Sequence, residues 1–388
     1  MGLAALASQA QDVSARARKL HASCLVLDAH VHVVNKQFYK GGSLGDRLPD
    51  GQFDLVRAKE GGLKAFFFTM FIPEEYYPAR YETKQALRLI DEAYRQLDRN
   101  HDKVELALEP RDIDRINAKG KIAAILDLEG GYDLDGDLGV LRMLQRLGLR
   151  CLQLPAHNFA NRFAESCCAA SPFHGLNEHG REFIHECNRL GMMINVAHAS
   201  PDTTIQAAEA SKYPLLATHE GFRKFNDIPR TLTDDAYRAL AKKGGVIGFH
   251  IGNEFHNRLQ YLHRAKAAGK PFYDASAAVR FKDMPIADID KHLAETFHSV
   301  GVPTPDNLLF SLDQWFNVVD YAISIAGEDH VGLGTDFDGG PTLPRGMRDA
   351  RDYPMFTEAM LRRGWSETRI RKFLGQNVRR VFETVRKG

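Results

Sequence analysis

Two stretches of this sequence decide the fold: Met193-Ile-Asn-Val-Ala-His198 and Leu215-Leu-Ala-Thr-His219. Each is a short apolar run that ends in a histidine, and each is followed by a stretch with a helical pattern. Short apolar runs that alternate with helices are typical of buried strands in a parallel sheet. The two histidines are therefore expected at the carboxyl ends of neighbouring strands, where both can bind one metal ion.

The same alternation of strand and helix recurs along the chain. Six further apolar runs lie at residues 24–28, 63–70, 122–127, 151–154, 245–249 and 331–335. Helical patterns separate several of them, at about residues 81–99, 138–147, 178–190 and 308–326. Eight alternations in one chain favour an α/β fold of the (β/α)8 TIM barrel type over an open doubly wound sheet.

The length of 388 residues fits a single barrel domain that spans residues 1–388. A long, mixed and charged segment at about residues 253–307 breaks the rhythm, and we interpret it as an insertion before the eighth strand. Helices are predicted after that strand at about residues 355–364 and 366–374, with Gly375 as a C-cap, followed by a last helix.

Composition excludes several classes of partner. The net charge is +1, and no basic stripe with interleaved aromatic residues predicts contact with nucleic acid. No run of eighteen apolar residues predicts a membrane span. The basic residues near the N-terminus follow its mildly apolar part, the reverse of a secretory signal, so a cytoplasmic location is expected. Adjacent cysteines rarely bind one metal ion, so Cys167 and Cys168 are expected to be thiols.

Polar residues at the predicted strand ends form a candidate metal site. His30 and His32 have the spacing that places two side chains on one face of a strand. Glu129 ends the third strand and can offer one carboxylate oxygen to each of two metals. Taken singly, such residues are more often a polar strand end, a helix-starting acid or a buried structural histidine. Together they predict a binuclear site that lowers the pKa of a bridging water; its ligands are His30, His32, Glu129, His198 and His219.

Four other residues are candidates for contact with a substrate. Asp336 follows the eighth strand and is favoured over Asp338 as the group that takes a proton from the attacking water or receives an amino group. Arg230 follows the sixth strand, where a guanidinium can hold a carboxylate in a bidentate fork. His157 can stabilise an oxyanion. His250 is retained only as a residue that lines the site.

Several motifs in this sequence resemble those of the membrane (renal) dipeptidases, peptidase family M19. They are Leu128-Glu-Gly-Gly131, Arg146-Leu-Gly-Leu-Arg150 with His157-Asn158, Pro229-Arg-Thr-Leu-Thr-Asp234, Asp329-His-Val-Gly-Leu-Gly-Thr-Asp-Phe-Asp-Gly339, and Arg363-Gly-Trp-Ser-Glu367 through Leu374-Gly-Gln-Asn377. The resemblance covers about residues 25–385.

The resemblance implies a (β/α)8 barrel with two Zn²⁺ ions per chain that hydrolyses dipeptides through a metal-bound hydroxide and often tolerates a D-residue at the C-terminal position. It also implies a homodimer. By position, Glu129 is similar to the bridging ligand, and His198 and His219 are similar to the ligands of the second zinc. His157, Arg230 and Asp336 are similar to the substrate-contacting residues, with Arg230 on the C-terminal carboxylate.

Two features depart from the family pattern. The first-zinc motif of the family is usually His-x-Asp, whereas this chain has His30-Val-His32. Replacing an anionic oxygen with a neutral nitrogen adds one unit of positive charge and favours softer divalent ions. The second departure is Gln314-Trp-Phe-Asn317, which stands where the family commonly has a histidine and acids.

Three hypotheses follow. The first is a zinc-dependent dipeptidase whose small substrate is a dipeptide. The second keeps the metal-dependent hydrolase but gives it a non-peptide amide, an N-acyl amino acid or a lactone. The third, motivated only by the His32 departure, is a barrel that has lost catalysis and serves as a binding component.

Overall fold

A computed structural model describes residues 13–169, 171–268, 280–298 and 300–387. Its strands are β1 (Leu27–Val31), β2 (Ala65–Phe71), β3 (Val104–Leu106), β4 (Ile122–Glu129), β5 (Cys151–Gln153), β6 (Met193–Asn195), β7 (Leu216–Glu220), β8 (Val246–Phe249) and β9 (Val331–Leu333). All pairings between them are parallel, in the order β1-β2-β4-β5-β6-β7-β8-β9, with β3 beside the first half of β4. The predicted barrel is confirmed, and β3 is the strand that the sequence pattern missed.

The barrel closes between β1 and the segment after β9. The amide of His32 donates to the Phe337 carbonyl at 2.8 Å, and the amide of Asp336 donates to the His30 carbonyl at 3.0 Å. The buried carboxylate of Asp28 reinforces this seam, since it accepts hydrogen bonds from Thr335 and from the Tyr353 hydroxyl, each at 2.6 Å from Oδ2. Closure therefore brings the first and last predicted strand ends to the same place.

The described helices surround the barrel. They are α1 (Ala15–Ser23), α2 (Val34–Lys40), α3 (Leu55–Glu60), α4 (Glu82–Arg99), α5 (Pro110–Ala118), α6 (Leu138–Arg146), α7 (Glu178–Leu190), α8 (Pro201–Ala210), α9 (Asp234–Lys242), α10 (Arg258–Ala268), α11 (Ile286–Thr296), α12 (Leu312–Ala326), α13 (Tyr353–Arg362), α14 (Glu367–Arg371) and α15 (Asn377–Lys387). Ser200 and Thr233 cap α8 and α9, and the side chain of each accepts a hydrogen bond from a backbone amide three residues on.

Side chains of the strands alternate between two apolar clusters. In β2, Phe66 and Phe68 pack with the outer helices, whereas Ala65 and Phe67 face the barrel interior. That interior cluster also includes Val381 and Phe382, along with other apolar residues of α15. The last helix thus plugs the amino-terminal end of the barrel, and the carboxyl end is left to the polar residues.

The insertion and the tail differ in detail from the sequence predictions. The described part of the insertion holds α10 and α11, whereas residues 269–279 and 299 of the predicted 253–307 segment lie outside the described residues. Assignment of residues 1–388 to one domain stays a prediction. The Gly375 prediction is wrong: the residue lies in a kinked turn between α14 and α15. A Cβ atom there would meet the Leu25 carbonyl oxygen at 2.5 Å, so close packing on the chain just before β1 requires glycine.

Two further sequence expectations can be compared with the structure. Cys167 and Cys168 are joined in a vicinal disulfide, so the prediction of two thiols is wrong, and the other three cysteines are free and buried. Among the described residues, no helix has both the length and the apolar character that crossing a membrane requires.

Candidate metal centre and active site

Four histidines and two carboxylates converge at the carboxyl end of the barrel. The Nε2 atoms of His30 and His32 lie 2.9 Å apart, and those of His198 and His219 lie 3.1 Å apart. The rings of His30 and His219 stack with centroids 3.8 Å apart, which joins the two pairs. All four imidazoles are buried. The structure thus brings together the histidines that the sequence placed at separate strand ends.

Glu129 lies between the two histidine pairs and directs one oxygen to each. Its Oε2 is 2.7 Å from His32 Nε2 and 3.3 Å from His30 Nε2. Its Oε1 is 3.1 Å from His198 Nε2 and 3.2 Å from His219 Nε2. This is the geometry of a carboxylate that bridges two ions, and the bridging role itself stays a prediction.

A local irregularity of β1 turns His30 and His32 toward this point. Leu27 and Ala29 face the barrel interior, and the pairing of β1 with β2 shifts register between Asp28 and Val31. Such an irregularity re-aims the side chains that follow it. The strand can therefore bury Leu27 and Ala29 in the barrel interior and present the two imidazoles at the carboxyl end of the barrel.

The outward ring nitrogens of three of these histidines are held by neighbouring side chains. Thr218 Oγ1 lies 3.0 Å from His219 Nδ1 and 3.3 Å from His30 Nδ1. Asp127 Oδ2 lies 3.5 Å from His30 Nδ1, and Asn158 Oδ1 lies 3.0 Å from His198 Nδ1. Partners of this kind fix the tautomer and orientation of metal-binding histidines, with Nε2 left for the metal.

The carboxylates favour positive charge at the His30–His32 pair. Burial lowers the pKa of both imidazoles, but Glu129 and its neighbouring acids outweigh burial and raise the pKa of His30 to about 9 and that of His32 to about 10. By contrast, burial, helped by nearby cationic groups, holds the pKa of His198 and that of His219 well below the usual value. One half of the centre attracts a cation strongly, and the other half offers neutral nitrogen ligands.

Asp336 lies against the first histidine pair. Its Oδ1 is 3.1 Å from His32 Nε2 and has no hydrogen-bond partner, although it is buried. Its Oδ2 is 2.8 Å from His250 Nε2. Burial raises the pKa of Asp336, but His32 and His250 outweigh it and hold the pKa well below the usual value. Asp336 is therefore ionised and aimed at the centre.

His157 lies beside the second histidine pair. Its ring packs against that of His198 at a tilt of 37°, with centroids 3.9 Å apart, and its Nε2 is 3.8 Å from Glu129 Oε1. Its Nδ1 is 2.5 Å from the Glu74 carboxylate, which orients the ring. The structure thus places His157 at the metal centre, and its role as a donor to a substrate oxygen stays a prediction.

Four of the five described non-glycine residues with positive φ belong to this site: His157, His198, Asp336 and Asp338, with φ between 55° and 64°. L-residues rarely adopt this conformation, and it persists where the surrounding structure imposes it. The concentration of strained backbone at one end of the barrel supports a functional role for this end.

Arg230 is placed differently from the other predicted residues. Its guanidinium is 1% exposed, lies 2.8 Å from Glu220 Oε2, and donates to the His219 carbonyl at 2.8 Å. It is not among the described residues that line the cavity above the metal centre. Its role as a receptor for a substrate carboxylate stays a prediction.

A cavity of about 610 Å³ opens above the centre. Its floor includes His32, Glu129, His198, His219 and Asp336. Its walls come from the β2–α4 loop, with Glu74 and Glu75, and from the insertion, with Arg264, Arg280 and residues of α11 and the segment after it. The volume suits a small molecule rather than a folded protein.

The donor set fits divalent metal ions. Two overlapping groups, His30 with His32 and Asp336, and His30 with Glu129 and His219, keep their ligand atoms within 4.8 Å of one another. A third group joins Glu129, His157 and His198. Imidazole and carboxylate ligands of this kind are typical of zinc sites. The orphaned buried Oδ1 of Asp336 is the kind of atom that a bound cation satisfies.

A parallel barrel with histidines and carboxylates gathered at the strand carboxyl ends is typical of metal-dependent hydrolases. The chain belongs to the membrane dipeptidase family, peptidase family M19, whose sequence model matches residues 14–387. It is therefore an enzyme of the metallo-dipeptidase type.

Individual relatives agree with this assignment. Dipeptidase verJ of Clonostachys rogersoniana is 26% identical over 342 residues, which is 86% of this chain and 75% of that protein. The probable dipeptidase PvdM of Pseudomonas aeruginosa shares the fold with a TM-score of 0.72 at 24% identity, over 96% of this chain and 98% of that one. A Rhodobacter sphaeroides metallo peptidase, solved with a phosphinate mimic of L-Ala-D-Ala, has a TM-score of 0.72 at 22% identity, over 93% and 99% of the two chains.

The sequence underrated or missed several residues at this site. His250 directly follows β8 and contacts Asp336, so the strand-end signal that identified the other histidines was present for it too. Asp127 stands two residues before Glu129 and faces the same side of β4, which the spacing predicts. Glu74 begins a short 3-10 helix, Glu74–Tyr76, between β2 and α4, and no pattern in the sequence links it to His157.

Proposed function

We propose that this metallo-dipeptidase binds two Zn²⁺ ions per chain and hydrolyses dipeptides, including dipeptides with a D-residue at the C-terminal position. The observation that carries the proposal is the placement of Glu129, with one oxygen toward each histidine pair. The Rhodobacter sphaeroides relative binds a mimic of L-Ala-D-Ala, which supports the D-residue part.

Bound divalent ions would polarise the scissile carbonyl and lower the pKa of the attacking water. Asp336, ionised and oriented by His250, accepts the proton of that water and passes it to the leaving amino group. His157 donates to the Glu74 carboxylate through Nδ1 and, as an imidazolium, also donates from Nε2 to the oxygen that becomes negative in the tetrahedral intermediate.

The test combines metal quantification with a panel of dipeptides. Protein purified without chelator is expected to contain about two zinc ions per chain and to hydrolyse dipeptides with L- and D-residues at the C-terminal position. N-acyl amino acids and lactones serve as comparison substrates. Full metal content without turnover of any dipeptide would contradict the proposal, and turnover of the comparison substrates alone would favour the non-peptide alternative. A cytoplasmic location and a homodimer stay predictions.

A further inference from the structure

The vicinal disulfide between Cys167 and Cys168 lies directly beside a predicted metal ligand, His198. The backbone amide of Cys167 donates to the His198 carbonyl at 2.7 Å. The Cys167 Sγ atom lies 3.7 Å from Asn158 Oδ1, and the same oxygen lies 3.0 Å from His198 Nδ1. The disulfide therefore contacts both the backbone of His198 and the side chain that orients its ring.

Ser166 ties the turn that carries the disulfide to the same neighbourhood. Its hydroxyl donates to the Asn158 carbonyl at 3.0 Å and accepts hydrogen bonds from the amides of Cys168 and Ala169, each at 3.3 Å. Its backbone pairs with that of Ala199, the residue that follows the predicted ligand. A change in the shape of this turn is therefore transmitted to the chain on which the ligand lies.

His198 depends on such support because its backbone has an unfavourable conformation. Its φ is 64°, in the left-handed region that L-residues rarely adopt. A conformation of this kind persists where the surrounding structure imposes it. The Cys167 amide holds the carbonyl of His198, and a turn closed by a covalent bond has less conformational freedom than a turn with two separate thiols.

The disulfide is open to a small reductant, in contrast to the other cysteines. Cys167 and Cys168 are half-buried, whereas Cys24, Cys151 and Cys187 are buried free thiols. Reaction of a cysteine sulfur with a dissolved thiol requires such access. A soluble dithiol is therefore expected to react with the vicinal pair and to leave the buried thiols unchanged.

We propose, building on the binuclear zinc centre of the function proposed above, that the Cys167–Cys168 pair is a redox modification site whose disulfide form fixes the His198 half of that centre. The reductant is a dithiol. One of its thiolates attacks a cysteine sulfur to form a mixed disulfide, and its second thiol then displaces that sulfur. Two electrons and two protons pass to Cys167 and Cys168, which become thiols, and the reductant leaves as a cyclic disulfide.

Reduction weakens the hold on His198 in two ways. It frees the turn whose amide bonds the His198 carbonyl, and it places an S–H donor beside the Asn158 oxygen that contacts His198 Nδ1. Loss of an orienting partner of a metal-binding histidine typically weakens metal binding about 10-fold to 100-fold. Zinc is therefore expected to bind less tightly to the dithiol form than to the disulfide form.

The test compares zinc binding by the two forms of the full chain. Metal-free protein is prepared with the disulfide intact or after treatment with dithiothreitol, which is removed under argon, and zinc is then titrated in competition with a chelating dye. We expect one of the two zinc dissociation steps to weaken about 10-fold or more on reduction, while the other stays unchanged. Alkylation of the native protein followed by mass spectrometry verifies that reduction exposes the thiols of Cys167 and Cys168.

Two variants serve as controls. Cys167→Ser/Cys168→Ser has no disulfide to reduce, so its zinc affinity is expected to be the same with and without dithiothreitol treatment. Cys187→Ala removes a buried free thiol of α7 and is expected to respond as wild type does.

Four results overturn the proposal. They are an unchanged or increased zinc affinity in wild type after verified reduction, an equal weakening of both dissociation steps, a response of the double cysteine variant equal to that of wild type, and alkylation of Cys167 and Cys168 in air-exposed protein before any reductant is added. Equal weakening of both steps would mean that reduction loosens the whole fold rather than the His198 half.

Dipeptide assays separate this inference from the proposed function. If the disulfide form hydrolyses no dipeptide but loses zinc affinity on reduction, the dipeptidase function fails and the redox site stands. If the two forms bind zinc alike and hydrolyse dipeptides alike, the dipeptidase function stands and the redox site fails.

Discussion

At the scale of single residues, Glu129 has the largest expected effect. Glu129→Gln replaces the oxygen that faces one histidine pair with an amide and removes the negative charge shared by both pairs. We expect kcat/KM to fall by about 100-fold or more and the zinc content to fall in both halves of the centre. Metal analysis beside dipeptide kinetics measures both effects. Full zinc content with normal kcat/KM would contradict the bridging role.

Thr218 offers a subtler test because its hydroxyl contacts two ligands at once. Thr218→Val keeps the shape of the side chain but removes the hydroxyl that contacts His219 Nδ1 and is one of the neighbours of His30 Nδ1, beside Asp127. Loss of such a partner typically weakens metal binding about 10-fold to 100-fold, and zinc competition with a chelating dye measures it. Thr204→Val is the control, since the buried Thr204 hydroxyl bonds only the Ser200 carbonyl within α8. Equal zinc affinity in both variants would refute the assigned role.

Residue identities at strand ends were predictable, but their contacts were not. His30, His32, Glu129, His198 and His219 stand where apolar runs end, and parallel strands bring such ends together. The contact of Glu74 with His157 joins residues 83 positions apart, and the bond of Arg230 to Glu220 depends on the rotamers of two buried side chains. No spacing rule in one sequence encodes either contact.

At the scale of elements, His21 links α1 to α13 and to the turn after α3. Its Nε2 is 2.8 Å from the Gly61 carbonyl and its Nδ1 is 2.8 Å from the Thr357 hydroxyl, which suits a neutral imidazole that donates and accepts once each. Burial lowers the pKa of His21 below 6.5. Below pH 6.5 the unfolded chain therefore binds a proton at His21 more readily than the folded chain does. The contribution of neutral His21 to stability is complete above pH 6.5 and declines as the pH falls below 6.5.

His21→Gln tests this pH dependence. We expect the variant to lose about 1 to 2 kcal/mol of unfolding free energy near neutral pH, as two buried hydrogen bonds are altered. The difference from wild type is expected to shrink as pH falls below 6.5, because only wild type carries the protonation penalty. Urea unfolding at a series of pH values measures this, with His101→Gln at an exposed position as the control. A difference that is constant with pH would exclude the mechanism.

The elements that the sequence predicted are those with strong local signals. Helix α7 is predicted at residues 178–190 and observed at Glu178–Leu190, with Asn177 as a side-chain N-cap. Strand β3, Val104–Leu106, escaped prediction because it contains no continuous apolar run: Glu105 interrupts it, and two of its three residues are half-buried. Gly375 was misread as a cap because glycine is needed there for a tertiary reason. Leu25 and Leu27 approach so closely that no Cβ atom fits.

At the scale of the whole molecule, the two ends of the barrel have different tasks. The amino-terminal end is filled by apolar side chains and closed by α15, so it contributes stability. The carboxyl end buries four histidines and two carboxylates and holds four strained residues, which costs stability. The fold can maintain such a centre because the packed strands hold these residues in backbone conformations that an isolated segment would rarely adopt.

Zinc removal tests how much metal binding at the carboxyl end stabilises the whole fold. Ions that bind only the folded chain stabilise it by mass action, by about 2.7 kcal/mol at a free concentration 100 times the Kd. We therefore expect a strong chelator to lower the Tm and added zinc to restore it in a concentration-dependent way, as differential scanning calorimetry measures. Glu129→Gln, which weakens both halves of the centre, is expected to show a smaller response to zinc. A Tm that is unaffected by chelator and by zinc in wild type would show that no ion bridges the strand ends.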